Sequence, residues 1–599
     1  MRLRSRQEIT FRLKQELNNV RLWLQPPQGP LQRESPLACL PDPAPAVAAL
    51  RSTPFAAEVE RLADLVLQGK YPLLGSVFDL GHEFDWRRDF LSGRTSGANY
   101  FRAVPYLDAV QVGDHKVIWE LSRHQFLILL AQAYRFTGRR EYLAAIEKHL
   151  DSWLAQNPFM RGINWCSALE VAFRALSWIW VFHLAGRDLS AGIRDRLLIE
   201  LYRHGCYLEH NLSFYFSPNT HLLGEAVVLH ALGVLFPDWP RSREWVDYGG
   251  RVTREQLVSQ INEDGSHFEQ SSYYHVYAVD FFLLHWILSR ESPPEKAHRM
   301  GDFLHALLGA GRAIPLIGDD DGGRLFHPYG NCTQFGRATL ATLSLLLKRT
   351  DWPLESADLW PQAAWWLGAA RLEAALQQGS SPPSTHFADT GLVFLASGDV
   401  QVIFDAGPFG RGSGGHSHSD ALSVIVRRWD NDILIDSGTF TYVADPVERD
   451  AFRGSAAHNT VRVDGQDQAT PAGPFGWTNK PDIALIQSSN DAAEAVCQTA
   501  GYVHRRRVQV SPGSIRITDH VEGGSAVEQF WHAASETVEQ VEPNVFRIAD
   551  SATLALPREG RAELLSGWRS MIYGRKSPAP VIRYVPAGSD FTAEINFAA

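Results

Sequence analysis

GSSPPSTHFADTGLVFLASGDVQVIFDAG, residues 379–407, divides the chain into two kinds of sequence. GSSPPST has the Pro and Ser content of a linker. Behind it, β-branched and aromatic residues alternate with others in twos, the period of a half-buried strand. The alternation continues in ALSVIVRRWDNDILIDSG (421–438), TVRVDGQ (460–466), YVHRRRVQVSPGSIRITDHVEG (502–523) and NVFRIADSATLALP (544–557), punctuated by Asp-Asn, Asp-Gly and Pro-Gly turns. This pattern predicts an antiparallel β-sandwich over residues 385–599.

Ahead of the linker the period changes to that of a helix. Apolar residues recur at i, i+3 and i+4 through HKVIWELSRHQFLILLAQAYRF (115–136), EYLAAIEKHLDSWLAQ (141–156), CSALEVAFRALSWIWVFHLA (166–185) and onward to FGRATLATLSLLLKR (335–349). Helical hairpins stacked without a repeated consensus word predict an incomplete α/α toroid over residues 111–380. Residues 1–110 are Pro-rich and read as short helices and extended segments packed on it. The expected whole is an α+β multidomain chain, toroid first and sandwich second.

A length of 599 residues is several times that of a ~150-residue domain. With 45% apolar and 21% charged residues the chain has the makings of large cores and too little charge for disorder. A net charge of −10 supplies no global positive field, so neither nucleic acid nor membrane is expected as a partner. Cys39, Cys166, Cys206, Cys332 and Cys497 are scattered and odd in number, which argues against a disulfide framework. MRLRSRQEITFRLKQELNNVRLWL has charges every few residues instead of a signal-like apolar stretch. A cytoplasmic chain is expected, or a periplasmic or secreted one whose signal has been removed. The 18 tryptophans suit core packing first and sugar stacking second.

Four stretches concentrate reactive side chains. GSGGHSHSD (412–420) delivers His416 and His418 to the start of a predicted strand, where i and i+2 share a face. With Asp436 and His458 downstream, these residues offer a His/Asp/His set for a divalent metal such as zinc, against the plainer reading of hydrogen-bonded histidines at a sandwich edge. SPNTHLLGEA (217–226) places Asn219, Thr220 and His221 at a helix N-terminus, which suits a carboxylate ligand, although Asn219 could be an N-cap and nothing more. NEDGSHFEQSSYYHVY (262–277) is a polar loop rich in His and Tyr. IPLIGDDDGGRLF (314–326) gathers three aspartates without the ligand spacing of an EF-hand and reads as a turn. In the triple Arg505, Arg506, Arg507, alternation sets Arg506 on the face opposite the other two.

The ordered series NWCSALEVAFRALSW (164–178), SPNTHLLGEA, DGSHFEQSSYYH (264–275), GHSHSDALS (415–423), LIDSGTFTY (434–442) and AAHNTVRVDG (456–465) resembles the heparinase II/III-like polysaccharide lyases, over roughly residues 115–530. The resemblance implies a toroid joined to a sandwich with a catalytic cleft between them, and β-elimination at a uronic acid of an anionic polysaccharide. That chemistry requires donors that neutralise the uronate carboxylate, a base for its C5 proton and an acid for the leaving oxygen. Carried over, the resemblance puts Asn219 and His221 at the carboxylate, Tyr274 as acid and base, and His416 beside it. It gives His418, Asp436 and His458 to a structural metal, zinc being expected, with no organic cofactor. Some relatives have Asn-Asn-His where this chain has Asn-Thr-His, so Thr220 is an alternative to Asn219, and Tyr273 is an alternative to Tyr274. Glu269 could orient the histidines, and Arg174 and Trp178 are candidate cleft residues.

Two other readings compete. A glycoside hydrolase on the same toroid would need two carboxylates about 5–10 Å apart, which Asp319, Asp320 and Glu269 could supply. A non-catalytic carbohydrate-binding protein would have no need of Asn219, Tyr274 and His416 together.

Overall fold

The computed structural model describes residues 5–30, 35–309, 313–326, 335–372, 382–429 and 431–598. The first three residues of the GSSPPST linker, and Cys332, lie outside them. On one side of that linker the described elements are almost all helices, and on the other almost all strands.

Five helices pack in succession around the inside of the toroid: Gln125–Thr137, Ala168–Ala185, Thr220–Leu235, Ser272–Ser289 and Phe335–Leu347. Between them run the outer helices Arg140–Gln156, Ala191–Asn211, Ser242–Gln260 and Glu295–Leu308. Position in the ring explains the sequence pattern. Arg140–Gln156 buries Tyr142, Leu143, Ile146, His149, Leu150 and Trp153, a single stripe at helical spacing. Ala168–Ala185 is enclosed on all sides and mostly apolar, its Glu170 and Arg174 each paired within the core; it is long enough to cross a membrane, yet every residue is buried in the fold.

The N-terminal segment completes this ring. Helix Pro43–Leu50 touches both Ala363–Trp366 and Gln125–Thr137, and Pro54–Leu67 packs along Gln125–Thr137. Leu37, Val59, Leu62, Tyr71 and Trp86 belong to the same apolar core as the inner helices.

Beyond the linker three antiparallel sheets share one core. The first takes its five strands in chain order from Thr385–Phe387 to Asn431–Leu434. An eight-stranded sheet has Val503–Ser511 and Ser514–Glu522 near its middle, and a four-stranded sheet ends on Val461–Val463. Strand Val503–Ser511 alternates as its sequence requires: Arg506 is buried on Asp519, while Arg505 and Arg507 face outward toward Glu494.

Toroid and sandwich meet through a dry contact in which Phe303, Ala306, Leu307 and Ile317 pack on Phe387, Phe394, Ile403 and Ile425. Arg427 reaches across and donates to the carbonyls of Leu307 (2.9 Å) and Ala313 (2.9 Å), where the outer helix Glu295–Leu308 ends. The segment Ile314–Phe326 runs along this junction and brings its aspartates into the site.

Candidate active site

Asn219 caps the inner helix Thr220–Leu235, its Oδ1 accepting from the backbone N–H of His221 at 3.1 Å. The cap leaves the amide nitrogen free for another partner, and it donates to Glu269 Oε1 at 2.6 Å. Thr220 Oγ1 donates to the other oxygen of Glu269 at 3.0 Å. Gln260 holds the Asn219 carbonyl at 2.7 Å. Asn219 is therefore an N-cap whose amide nitrogen is at the same time bonded to a carboxylate of the protein.

Glu269 stands on the loop leading into helix Ser272–Ser289, where Ser271 is the N-cap and accepts from the backbone N–H of Tyr274. One turn in, the Tyr274 ring stacks on the His416 imidazole, centroids 4.0 Å apart at 25°. Its hydroxyl lies 3.2 Å from that of Tyr442. His416 also faces Glu269, with Nε2 3.6 Å from Oε1, the oxygen that Asn219 holds. Asn219, Thr220, Glu269, Tyr274 and His416 thus converge from both halves of the chain. His221 is half-buried within electrostatic reach of His416, and burial followed by that neighbour depresses its pKa to about 4.

Burial and the nearby Asp321 carboxylate push the Tyr274 phenol well above its ordinary pKa. Carboxylates and a second phenol surround this hydroxyl and keep it protonated. Burial disfavours the charged form of His416, but hydrogen bonding to Asp319 and the charge of Glu269 outweigh it and raise its pKa. Tyr273, by contrast, donates its hydroxyl to the carbonyl of Gly323 and lies buried away from His416.

Arg174 and Trp178 are not cleft residues. Both are fully buried in the toroid core. Arg174 donates to His204 Nε2 at 3.0 Å and lies over the Trp153 ring at 4.4 Å, while the Trp178 indole donates to His124. A helix buried on all sides gives no sequence signal of which polar side chains are satisfied inside the core.

His416 and His418 also depart from expectation, because they lie in a loop and strand Val424–Arg428 begins later. Both rings reach Asp319, but their other nitrogens face different neighbours. His418 turns into the sandwich, 5.3 Å from His458. His458 Nδ1 is 2.7 Å from Asp436 Oδ2. Potential ligand atoms of His418, Asp420, Asp436 and His458 all lie within 4.8 Å of one another, and all four residues are buried. His418 Nδ1 and His458 Nε2 have no hydrogen-bond partner, so two imidazole nitrogens in a polar, carboxylate-lined space fit a divalent metal. Asp420 was missed from sequence although it closes the very motif GSGGHSHSD.

Sequence reasoning also missed the role of Asp319. It accepts from both histidines and from Arg449, with none of its side chain exposed. Gly318 permits this approach: at φ +65° a Cβ would fall 2.6 Å from the carbonyls of Gln270 and His416. Behind His221, Lys116 pairs with Glu120 (2.9 Å) and Asp321 (3.2 Å), and Arg123 pairs with Glu170 (2.7 Å). The aspartate run is thus a set of three differently used side chains, with Asp320 accepting from the Gly322 backbone. For a hydrolase pair the arrangement is unfavourable, since the His416 ring stands between Glu269 and Asp319.

A toroid and a sandwich that jointly build an Asn/Glu/Tyr/His cleft above a buried His/Asp cluster define a two-part fold with one composite site. The sequence families described as Heparinase II/III N-terminus and Heparinase II/III-like, C-terminal match residues 48–292 and 379–597. The chain belongs to the heparinase II/III-like family. It is 27% identical over 420 residues to a heparin-sulfate lyase of Bacteroides thetaiotaomicron, covering 65% of this chain and 57% of that protein. A heparin-sulfate lyase of Pedobacter heparinus is 27% identical over 411 residues, covering 63% and 57%. The chain thus spans under two thirds of the length of these curated relatives. The crystal structure of heparinase III superposes over 98% of this chain and 90% of its own at a TM-score of 0.65 and 15% identity, a likeness of fold.

Proposed function

We propose that this protein is a polysaccharide lyase that cleaves a glycosaminoglycan-like, uronate-containing chain by β-elimination. The observation that carries the reading is the linked set in which the Tyr274 ring stacks on His416, and His416 faces the Glu269 carboxylate that holds the Asn219 amide. The names of its relatives, heparin-sulfate lyases, support the substrate class.

In this mechanism the Asn219 amide, with Thr220 and His221 beside it, receives the uronate carboxylate and stabilises the charge that spreads onto it as C5 loses its proton. His416 accepts that proton through Nε2, its raised pKa making it a stronger base. Tyr274, held protonated, donates to the glycosidic oxygen as the C4–O bond breaks, leaving a C4=C5 double bond. Glu269 holds Asn219 and Thr220 in place.

The metal set belongs to the same proposal. His418, Asp436 and His458, with Asp420, would hold a zinc ion whose contribution is structural, tying the loop that carries His416 to the strands behind it.

Incubation with heparan sulfate, chondroitin, hyaluronan and alginate, followed by absorbance in the unsaturated-uronate band, tests the reading. Growth of that band in step with new reducing ends is expected. Reducing ends without the band would mean hydrolysis and overturn it.

A further inference from the structure

The most densely bonded carboxylate of the junction is Asp319. Its Oδ1 accepts from Arg449 Nη1 (2.5 Å), His418 Nε2 (3.0 Å) and Thr439 Oγ1 (3.3 Å); its Oδ2 accepts from Arg449 Nη2 (2.7 Å) and His416 Nδ1 (3.0 Å). Its backbone is tied as well: its N–H donates to the His416 carbonyl at 2.9 Å, and its carbonyl accepts from Ser271 Oγ at 2.7 Å, three residues ahead of Tyr274. Clamped by the guanidinium fork, the group can only accept, so each imidazole nitrogen facing it carries a hydrogen.

The two imidazoles present opposite nitrogens to this carboxylate. His416 gives Nδ1, which leaves Nε2 facing Glu269 and the cleft. His418 gives Nε2, which leaves the partnerless Nδ1 among Asp420, Asp436 and His458. One carboxylate therefore selects two different tautomers.

We propose that Asp319 is a positioning residue that fixes His416 with a bare Nε2 toward the substrate and His418 with a bare Nδ1 toward the metal set. The first half rests on the lyase reading of His416. A carboxylate that orients an imidazole base ensures that the lone pair, and not an N–H, meets the proton to be removed. An amide in its place would present an N–H to one of the imidazoles and drive it toward the wrong tautomer.

The test has two arms. In the first, the wild-type protein is labelled with ¹⁵N-histidine and its ring nitrogens are read by NMR at alkaline pH, with His416→Gln and His418→Gln used for assignment. The expected result is a protonated Nδ1 and bare Nε2 for His416, and the reverse for His418. The opposite tautomer at His416 overturns the proposal whether or not the protein is a lyase.

The second arm uses Asp319→Asn on a polymer that the wild type cleaves, with zinc salt at saturation. We expect kcat to fall at least about 100-fold while KM stays within about threefold, and zinc affinity to weaken about 10–100-fold. Full recovery of kcat at saturating zinc would show that Asp319 serves only the metal set or the fold, and would overturn the His416 half. If Asp319→Asn does not fold, Asp319→Asn/Arg449→Gln removes both charges together, with the same expectation. A wild type that forms no unsaturated product sinks the lyase reading and leaves the NMR result to decide the tautomers.

Discussion

His416 and His418 stand two residues apart, are both buried and bind the same carboxylate, yet they serve two regions that differ in almost every respect. The region around His416 is composite. Asn219, Glu269 and Tyr274 come from the helical half, while His416 and Tyr442 come from the sandwich. The four candidate metal ligands around His418 all come from residues 418–458, within the sandwich. In the first, Asn219 and His221 are half-exposed, and Asn219, Thr220, Glu269, Tyr274 and His416 already have one another as partners. The second is sealed, and two of its nitrogens have none. The contrast teaches that a short motif can serve two regions from one anchor: two neighbouring rings share a carboxylate and turn their remaining nitrogens to different surroundings.

If the cleft does the chemistry and the sealed cluster only supports it, substitutions in the two regions should separate rate from stability. The largest expected effect is Tyr274→Phe, which should lower kcat by about 10²–10⁴-fold with KM little changed, because the lost hydroxyl acts in proton transfer while the ring still stacks on His416. Tyr273→Phe, whose hydroxyl meets the Gly323 carbonyl and Asp321, should keep kcat within about threefold in the same assay. Equal losses from both would erase the distinction drawn between these tyrosines.

Next in size is Asn219→Ala, expected to reduce kcat/KM by about 10²–10³-fold, with both constants affected, since the amide meets the carboxylate in the ground state and more strongly as charge builds. Part of any fall in melting temperature belongs to the lost cap, about 1 kcal/mol, so kinetics must be normalised to folded protein. A change in KM alone would make Asn219 a binding residue only.

On the sealed side, chelation or His458→Ala should abolish zinc binding by elemental analysis and lower the melting temperature by at least several degrees. Turnover per folded molecule should fall less than for Tyr274→Phe. A chelator that stops turnover while leaving the melting curve in place would break the comparison, because the metal would then act in the chemistry.

The smallest catalytic effect is expected from Arg174→Met. The residue is caged by Trp153, Trp165 and His204 in the toroid core, so calorimetry should show lost stability while KM stays within about twofold. A KM raised tenfold would return Arg174 to the cleft.

Much of this architecture is legible in sequence because periodicity reports local burial. The change at GSSPPST from helical spacing to alternation, and the opposite facing of Arg506 and its neighbours, follow from the geometry of helix and strand. Asn219, Glu269, Tyr274 and His416 were legible only as motifs in order; nothing local says that they meet. The roles of Asp319, Tyr442 and Arg449 escaped because they arise from contacts between segments far apart in sequence, and a run of three aspartates before two glycines resembles an ordinary turn. Arg174 was misplaced because an inner ring helix has no polar face by which its sides can be told apart.

The N-terminal helices that complete the ring bear on how the chain must be made. Helix Pro43–Leu50 leaves the ribosome early, but Ala363–Trp366, which it contacts, is synthesised more than three hundred residues later. Contacts so remote in sequence form slowly, because the intervening chain must first be ordered. Until then the apolar sides of Pro43–Leu50 and Pro54–Leu67 lack part of their cover and offer sticky surface to other nascent chains. Yield in a foreign host should therefore depend on slow translation and chaperone supply more than on the composition of the mature surface.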